Sequence, residues 1–222
     1  MRDDICTIPV SEVFEENDGC PICRMKKTVE EHIVSYIMGA AMMEPDVRIE
    51  TNKEGFCANH YSLMLAHRGR LALALMLESH LSEVEKEIFA GKFMNTPAKK
   101  AQKAAKLNES CIICNKINWG MERMTATIYR CFENEKDFRD LFEKQTFFCM
   151  PHYEMLMTSP DKKILKKYSG EFDKTLSEIM ANYVKTLSND VSNYCKMYNY
   201  QNSAENCDWA NSKDSVEISV NL

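Results

Sequence analysis

Glycine and proline are scarce in this chain of 222 residues, which holds seven of one and six of the other. That is about half their usual share. β-sandwiches and Rossmann-type α/β proteins depend on many turns that carry these residues. The shortage argues against both and favours long helices with few connections. Long apolar runs are missing too. The most apolar stretch, Leu71 to Leu77, falls far short of the roughly 20 residues of a membrane span. Acids interrupt the first twenty residues, with no run resembling a signal peptide, so the expected location is the cytoplasm and no membrane partner is expected. Positive charge is not in excess either. Against 28 Lys+Arg stand 33 Asp+Glu, a formal net charge of -5, which gives no general attraction to nucleic acid. No P-loop, dinucleotide fingerprint or G-x-S-x-G elbow occurs.

Cysteine, by contrast, is abundant, with ten in the chain. In a reducing compartment such a number points to metal ligands or redox groups more than to a disulfide framework.

Six of the ten fall into a duplicated pattern. Cys20-Pro21-Ile22-Cys23 is followed, after 33 residues, by Cys57-Ala58-Asn59-His60. Cys111-Ile112-Ile113-Cys114 is followed, after 34 residues, by Cys149-Met150-Pro151-His152. The flanks repeat as well, since Phe56-Cys57-x-x-His60-Tyr61 matches Phe148-Cys149-x-x-His152-Tyr153. Two such pairs with nearly equal gaps mark an internal repeat. The predicted architecture is all-α and duplicated, each module carrying a Cys-x-x-Cys knuckle and a Cys-x-x-His helix start around one metal. Residues 1–96 form the first module, 97–110 a polar helical connector, 111–200 the second module and 201–222 a polar tail.

Apolar steps of three and four support helices after each knuckle. They run through Ile22, Met25, Val29, Ile33 and Ile37 in one half, and Ile113, Ile117, Met121, Met124, Ile128 and Phe132 in the other. Polar return segments follow, Met43 to Gly55 and Asn134 to Gln145. The first Cys-x-x-His is expected to open one long helix with Leu73, Leu77, Leu81, Val84 and Ile88 on a face. The second helix is expected to break at Ser159-Pro160-Asp161 before a long final helix from Phe172 to Tyr198.

Three thiolates and an imidazole make a closed tetrahedral set, the Cys₃His type of structural zinc site. Cys20, Cys23, Cys57 and His60 are expected to hold one zinc ion, and Cys111, Cys114, Cys149 and His152 a second. The return segments, about 15 residues each, span roughly 50 Å if extended, which suffices to bring the chain back to its own knuckle. A crossed arrangement with both Cys-x-x-Cys pairs on one ion suits a duplication less well, because each ancestral unit would need a complete site. An iron–sulfur cluster and a dithiol redox pair are alternatives for the same residues. Cys6, Cys131, Cys195 and Cys207 have no partner at ligand spacing and read as ordinary cysteines.

A closed site leaves no position for water, so an enzyme is not expected. The leading expectation is an interaction or scaffold protein with an unidentified protein partner. A redox or iron–sulfur sensor comes second. A nucleic-acid-associated regulator using Lys99, Lys100, Lys103 and Lys106 comes last, since those lysines also suit a solvated connector helix. His32, His67 and His80 sit in no ligand motif and read as ordinary histidines.

The paired motifs resemble those of an uncharacterised bacterial domain-of-unknown-function family, found mainly in Gram-positive anaerobes. The matching residues are Cys20-Pro21-Ile22-Cys23, Pro45-Asp46-Val47-Arg48, Gly55-Phe56-Cys57-x-x-His60, Cys111-x-x-Cys114 and Phe148-Cys149-x-x-His152. The tail adds Asn199-Tyr200-Gln201-Asn202 and Trp209-x-x-Ser212-Lys213-Asp214. Pro45-Asp46 reverses the family-like order, and Phe147 replaces a second glycine. The resemblance implies the architecture and no established activity.

Overall fold

The structure is a computed structural model and describes residues 7–90, 96–198, 211–220 and 222. Cys6, Cys207, Asn199–Asn202 and Trp209 lie outside the described residues. The described residues form helices and no strands, as the low glycine and proline content predicts. In chain order the helices are α1 (Thr7–Glu15), α2 (Pro21–Met38), α3 (Pro45–Glu54), α4 (Ala58–Ala66), α5 (Arg70–Val84), α6 (Pro97–Asn108), α7 (Ile112–Asn134), α8 (Lys136–Glu143), α9 (Met150–Thr158), α10 (Ser169–Met197) and α11 (Ser215–Val220). The duplication is visible in this order. Helices α2, α3, α4 and α5 correspond to α7, α8, α9 and α10.

The predicted faces of α2 and α7 hold in most positions. Ile22, Met25 and Ile37 are buried on α2, as are Ile113, Ile117, Met121, Ile128 and Phe132 on α7, while Val29, Ile33 and Met124 are half-buried and Val34 is buried in addition. Residues 97–108 form helix α6. Thr96 caps α6 by accepting a hydrogen bond from the Lys99 backbone N–H at 3.3 Å, Pro97 opens it, and no residue on it is buried.

Two expectations fail. The long helix after the first Cys-x-x-His is two helices, because Gly69 adopts φ +122°, a conformation other residues rarely adopt. The buried face of α5 is Ala72, Leu73, Met76 and His80, while Leu81 is 61% exposed. The polar return segments also differ, in that α3 and α8 fold within them. Helix α3 has Pro45 in its first turn, Lys53 in its last and Gly55 at its C-cap. It buries only Val47 and Thr51, and α8 only Phe138 and Phe142.

The chain forms two compact units, one from Met1–Met25 with Glu122–Leu222, the other from Lys26–Met121. This division falls inside α2 and α7 and not at the 97–110 connector. In the first unit, α1 and α10 pack on α8, and α11 packs on α10. Its core is aromatic. Phe14, Tyr129, Phe132, Phe138, Phe142, Phe148 and Phe172 are each at most 2% exposed. Phe142 lies 5.2 Å from Phe132, 5.2 Å from Phe148 and 5.1 Å from Phe172, centroid to centroid. Such pairs contribute about 0.5–1.5 kcal/mol each beyond the area they bury. In the second unit, α3 packs on α5 and the core is aliphatic and thioether, with Ile37, Met64, Leu73, Met76 and Ile113.

Candidate metal centres

All four Cys-x-x-Cys and Cys-x-x-His motifs sit in one local geometry. The leading cysteine immediately precedes the first helical residue and the trailing ligand is the third, so both lie on the opening turn. Cys57 and Cys149 are extended N-caps of α4 and α9, with φ, ψ of -75°, 165° and -65°, 153°. Their carbonyls accept from Tyr61 and Tyr153 N–H, each at 2.9 Å. Cys20 and Cys111 do the same for Arg24 and Asn115, at 3.2 and 3.0 Å. The recurring Phe-Cys-x-x-His-Tyr has a reason in the first half. Phe56 precedes the N-cap and packs edge-on against Tyr61 at 5.4 Å, a hydrophobic staple that sets the angle of the helix.

The structure gathers all eight predicted residues into two clusters. Cys20, Cys23, Cys149 and His152 form one, and Cys57, His60, Cys111 and Cys114 the other. Within each, the donor atoms lie within 4.8 Å of one another. Each cluster lies wholly inside one unit, the first in the unit containing α9 and the second in the unit containing α4.

The expected pairing within each repeat is therefore corrected, and so is the crossed variant with both Cys-x-x-Cys pairs together. Each Cys-x-x-Cys meets the Cys-x-x-His of the opposite repeat. The cause is helix rise. Helices α2 and α7 carry the chain roughly 27 and 35 Å from their own knuckles at 1.5 Å per residue. An extended return would recover that distance. The returns are helical instead, and α3 and α8 recover only about 15 and 12 Å.

Hydrogen bonds show where each return docks. Gly55 O accepts from Ile112 N–H at 3.2 Å, Ser110 Oγ donates to Glu54 O at 2.5 Å, and Asn115 Nδ2 donates to Glu54 Oε2 at 2.7 Å. These bonds bring Cys57 to Cys111. In the other unit Gln145 Nε2 donates to Phe14 O at 2.7 Å and Thr146 Oγ1 to Asn17 O at 2.9 Å, which brings Cys149 to Cys20. Gly55 is required at its position for two reasons. Its φ is +62°, and a Cβ would lie 2.9 Å from the His80 ring.

Both imidazoles present Nδ1 to sulfur. His60 Nδ1 lies 3.1, 3.2 and 3.4 Å from the sulfurs of Cys57, Cys111 and Cys114. His152 Nδ1 lies 3.0, 3.3 and 3.5 Å from those of Cys149, Cys23 and Cys20. Sulfur pairs stand at 3.6 Å (Cys23, Cys149) and 3.9 Å (Cys57, Cys114). Zn–S bonds of about 2.3 Å at tetrahedral angles place sulfurs about 3.8 Å apart, so the spacing fits one such ion. It is far beyond a disulfide bond of about 2.05 Å.

Glu30 was not legible as part of a site. Its Oε1 lies 3.0 Å from His60 Nε2, the arrangement that orients a metal-ligating histidine. His80 is buried and its Nδ1 lies 2.8 Å from Asn52 O, a structural role. Cys131 is buried and Cys195 exposed, each away from the clusters.

Burial pushes the Cys20, Cys23 and Cys114 thiols up, and neighbouring sulfurs add to this; Cys114 reaches about 12. Burial works against the Cys57 thiolate as well. There it is outweighed by the His60 and Asn59 backbone N–H groups and by the Cys111 and Cys114 thiols, so its pKa falls. Without a cation, then, burial favours the protonated form of Cys20, Cys23 and Cys114. A metal supplies the charge that permits several thiolates in one small volume.

Fold and clusters together define an all-helical, internally duplicated protein with two Cys₃His groups able to hold metal ions. The chain belongs to a family of unknown function, DUF6062, which it matches over residues 1–222. No curated protein and no solved structure matches it. Among the described residues, no helix is long and apolar enough to cross a membrane.

Proposed function

We propose that each cluster holds one zinc ion as a structural crosslink, and that the protein is a cytoplasmic, non-enzymatic interaction or scaffold protein. The carrying observation is the closed donor set. Four protein donors within 4.8 Å of one another complete a tetrahedron and leave no position for substrate. That spacing supports a single ion over an iron–sulfur cluster, whose several irons and bridging sulfides need a wider cage. Each ion joins two helix N-termini distant in sequence, so binding free energy becomes folding free energy, on the order of 10 kcal/mol for such sites. A protein partner is supported by large side chains left at the surface, among them Trp119 at 60% and Met43 at 72% exposure.

Anaerobic purification followed by elemental analysis tests the metal assignment. Two zinc ions per chain and a colourless preparation are expected. Iron with sulfide and absorption near 400 nm, roughly where iron–sulfur clusters absorb, overturns it. For the scaffold role, affinity capture should recover a protein partner whose recovery falls with Trp119→Ala.

A further inference from the structure

We infer that the cluster of the first unit is an oxidation site, at which peroxide joins Cys23 to Cys149 as a disulfide while the cluster of the second unit stays intact. This rests on the structural-zinc reading and adds a modification that the reading does not require.

The two clusters share a donor set but not an environment. Cys23 is exposed, the only one of the six cysteine ligands in that class. Its sulfur stands 3.6 Å from that of Cys149, which is 9% exposed. In the second unit Cys111 is 4% exposed, Cys57 and Cys114 are half-buried, and the sulfurs of the latter two stand 3.9 Å apart. His60 is also held from behind by Glu30, which strengthens it as a donor. Metal binding makes every ligand cysteine a thiolate, so in the loaded clusters oxidation follows exposure and the presence of a second sulfur nearby. Both conditions are met best at Cys23.

The chemistry balances with one peroxide. The Cys23 thiolate attacks the O–O bond. An S–O bond forms, the O–O bond breaks, and the departing hydroxide takes a proton to become water. Cys23, now a sulfenic acid, has lost two electrons to the peroxide. The Cys149 thiolate attacks that sulfur. An S–S bond forms, the S–O bond breaks, and a second hydroxide is protonated to water. Two thiolates, one peroxide and two protons yield a disulfide and two waters. Cys20 and His152 then remain as two donors, too few to retain an ion. The new bond spans the place the ion had held, between the start of α2 and the start of α9, and a dithiol reductant reverses it.

The test uses the full chain with its metal content measured before any oxidant, which reports separately on the zinc reading. Limiting hydrogen peroxide is added, metal release is followed with a chromophoric chelator, and disulfides are mapped by peptide mass spectrometry. One equivalent should leave about tenfold faster than the other, in step with a Cys23–Cys149 disulfide, and dithiothreitol with zinc should restore it. Release of both equivalents together, or a first disulfide at Cys57–Cys114 or Cys20–Cys23, overturns the inference. Cys23→His keeps four donors and removes the exposed sulfur. Its fast phase should fall to the rate of the slow one, and an unchanged fast phase overturns the inference.

Discussion

The Glu30 carboxylate lies 3.0 Å from His60 Nε2, and the opposite nitrogen of the same ring faces three sulfurs. A helix that begins at one cluster thus orients a ligand of the other. Both residues belong to the second unit, although Glu30 sits on the helix opened by Cys20 and Cys23.

Glu30→Gln should weaken metal binding at the second unit's cluster by about 10- to 100-fold, the usual cost of losing such an orienting group. The first unit's cluster should be unchanged. Chelator competition resolves the two. Equal weakening of both, or of neither, would sink the orienting role.

Exchange of ligands between repeats makes Cys149→Ser informative. Hydrogen exchange should rise around Cys20 and Cys23 as well as in α9, with α4 and the start of α7 still protected. Pairing within each repeat predicts the reverse, with Cys111 and Cys114 loosened and Cys20 quiet.

Gly55→Ala should lower stability by about 1–3 kcal/mol, because the left-handed backbone strains and the new methyl meets the His80 ring. Gly170→Ala is the control. That glycine lies in α10 with open space where a Cβ would stand, so the change should be neutral or stabilising by up to about 1 kcal/mol. Thermal melts of the metal-loaded chains compare them.

The raised thiols set a pH signature with opposite signs in the two states. In the metal-free fold Cys20, Cys23 and Cys114 lie above the ordinary thiol value of about 8.5. The stability they contribute is fully present below that value and is lost as pH rises through the folded pKa, about 12 for Cys114. Metal binding expels those protons, so affinity rises with pH and the loaded protein loses its metal on acidification. Calorimetry in buffers of different ionisation heat should show net proton release. A metal affinity that does not vary between pH 6 and 8 contradicts this picture.

Much of the site was legible in the chain. The spacing of Cys20, Cys23, Cys57, His60, Cys111, Cys114, Cys149 and His152 marks them as four i, i+3 donor pairs, and each indeed occupies the opening turn of a helix. The long helices α2 and α7 announce themselves through apolar steps sustained over several turns. Helix α3 does not, since its two buried residues make no visible period; α8 does carry apolar steps at Phe138, Leu141 and Phe142, but in a helix of only eight residues. Their end signals were present, with Pro45, Lys53 and Gly55 framing α3, but a polar segment between metal motifs reads as loop. Glu30 carried no signal, because it stands thirty positions from His60 in sequence.

Local chemistry decides which residues are donors and in what pairs, because a helix turn places i and i+3 together whatever surrounds it. Which pair faces which is another matter. It depends on how far a helix carries the chain and whether the return is extended or wound. Helix α2 carries the chain roughly 27 Å and α3 winds back only about 15 Å, and the Gly55 carbonyl on the Ile112 amide delivers Cys57 to Cys111. Two matching repeats could each have closed on themselves; only the packing of α3 and α8 made them exchange ligands.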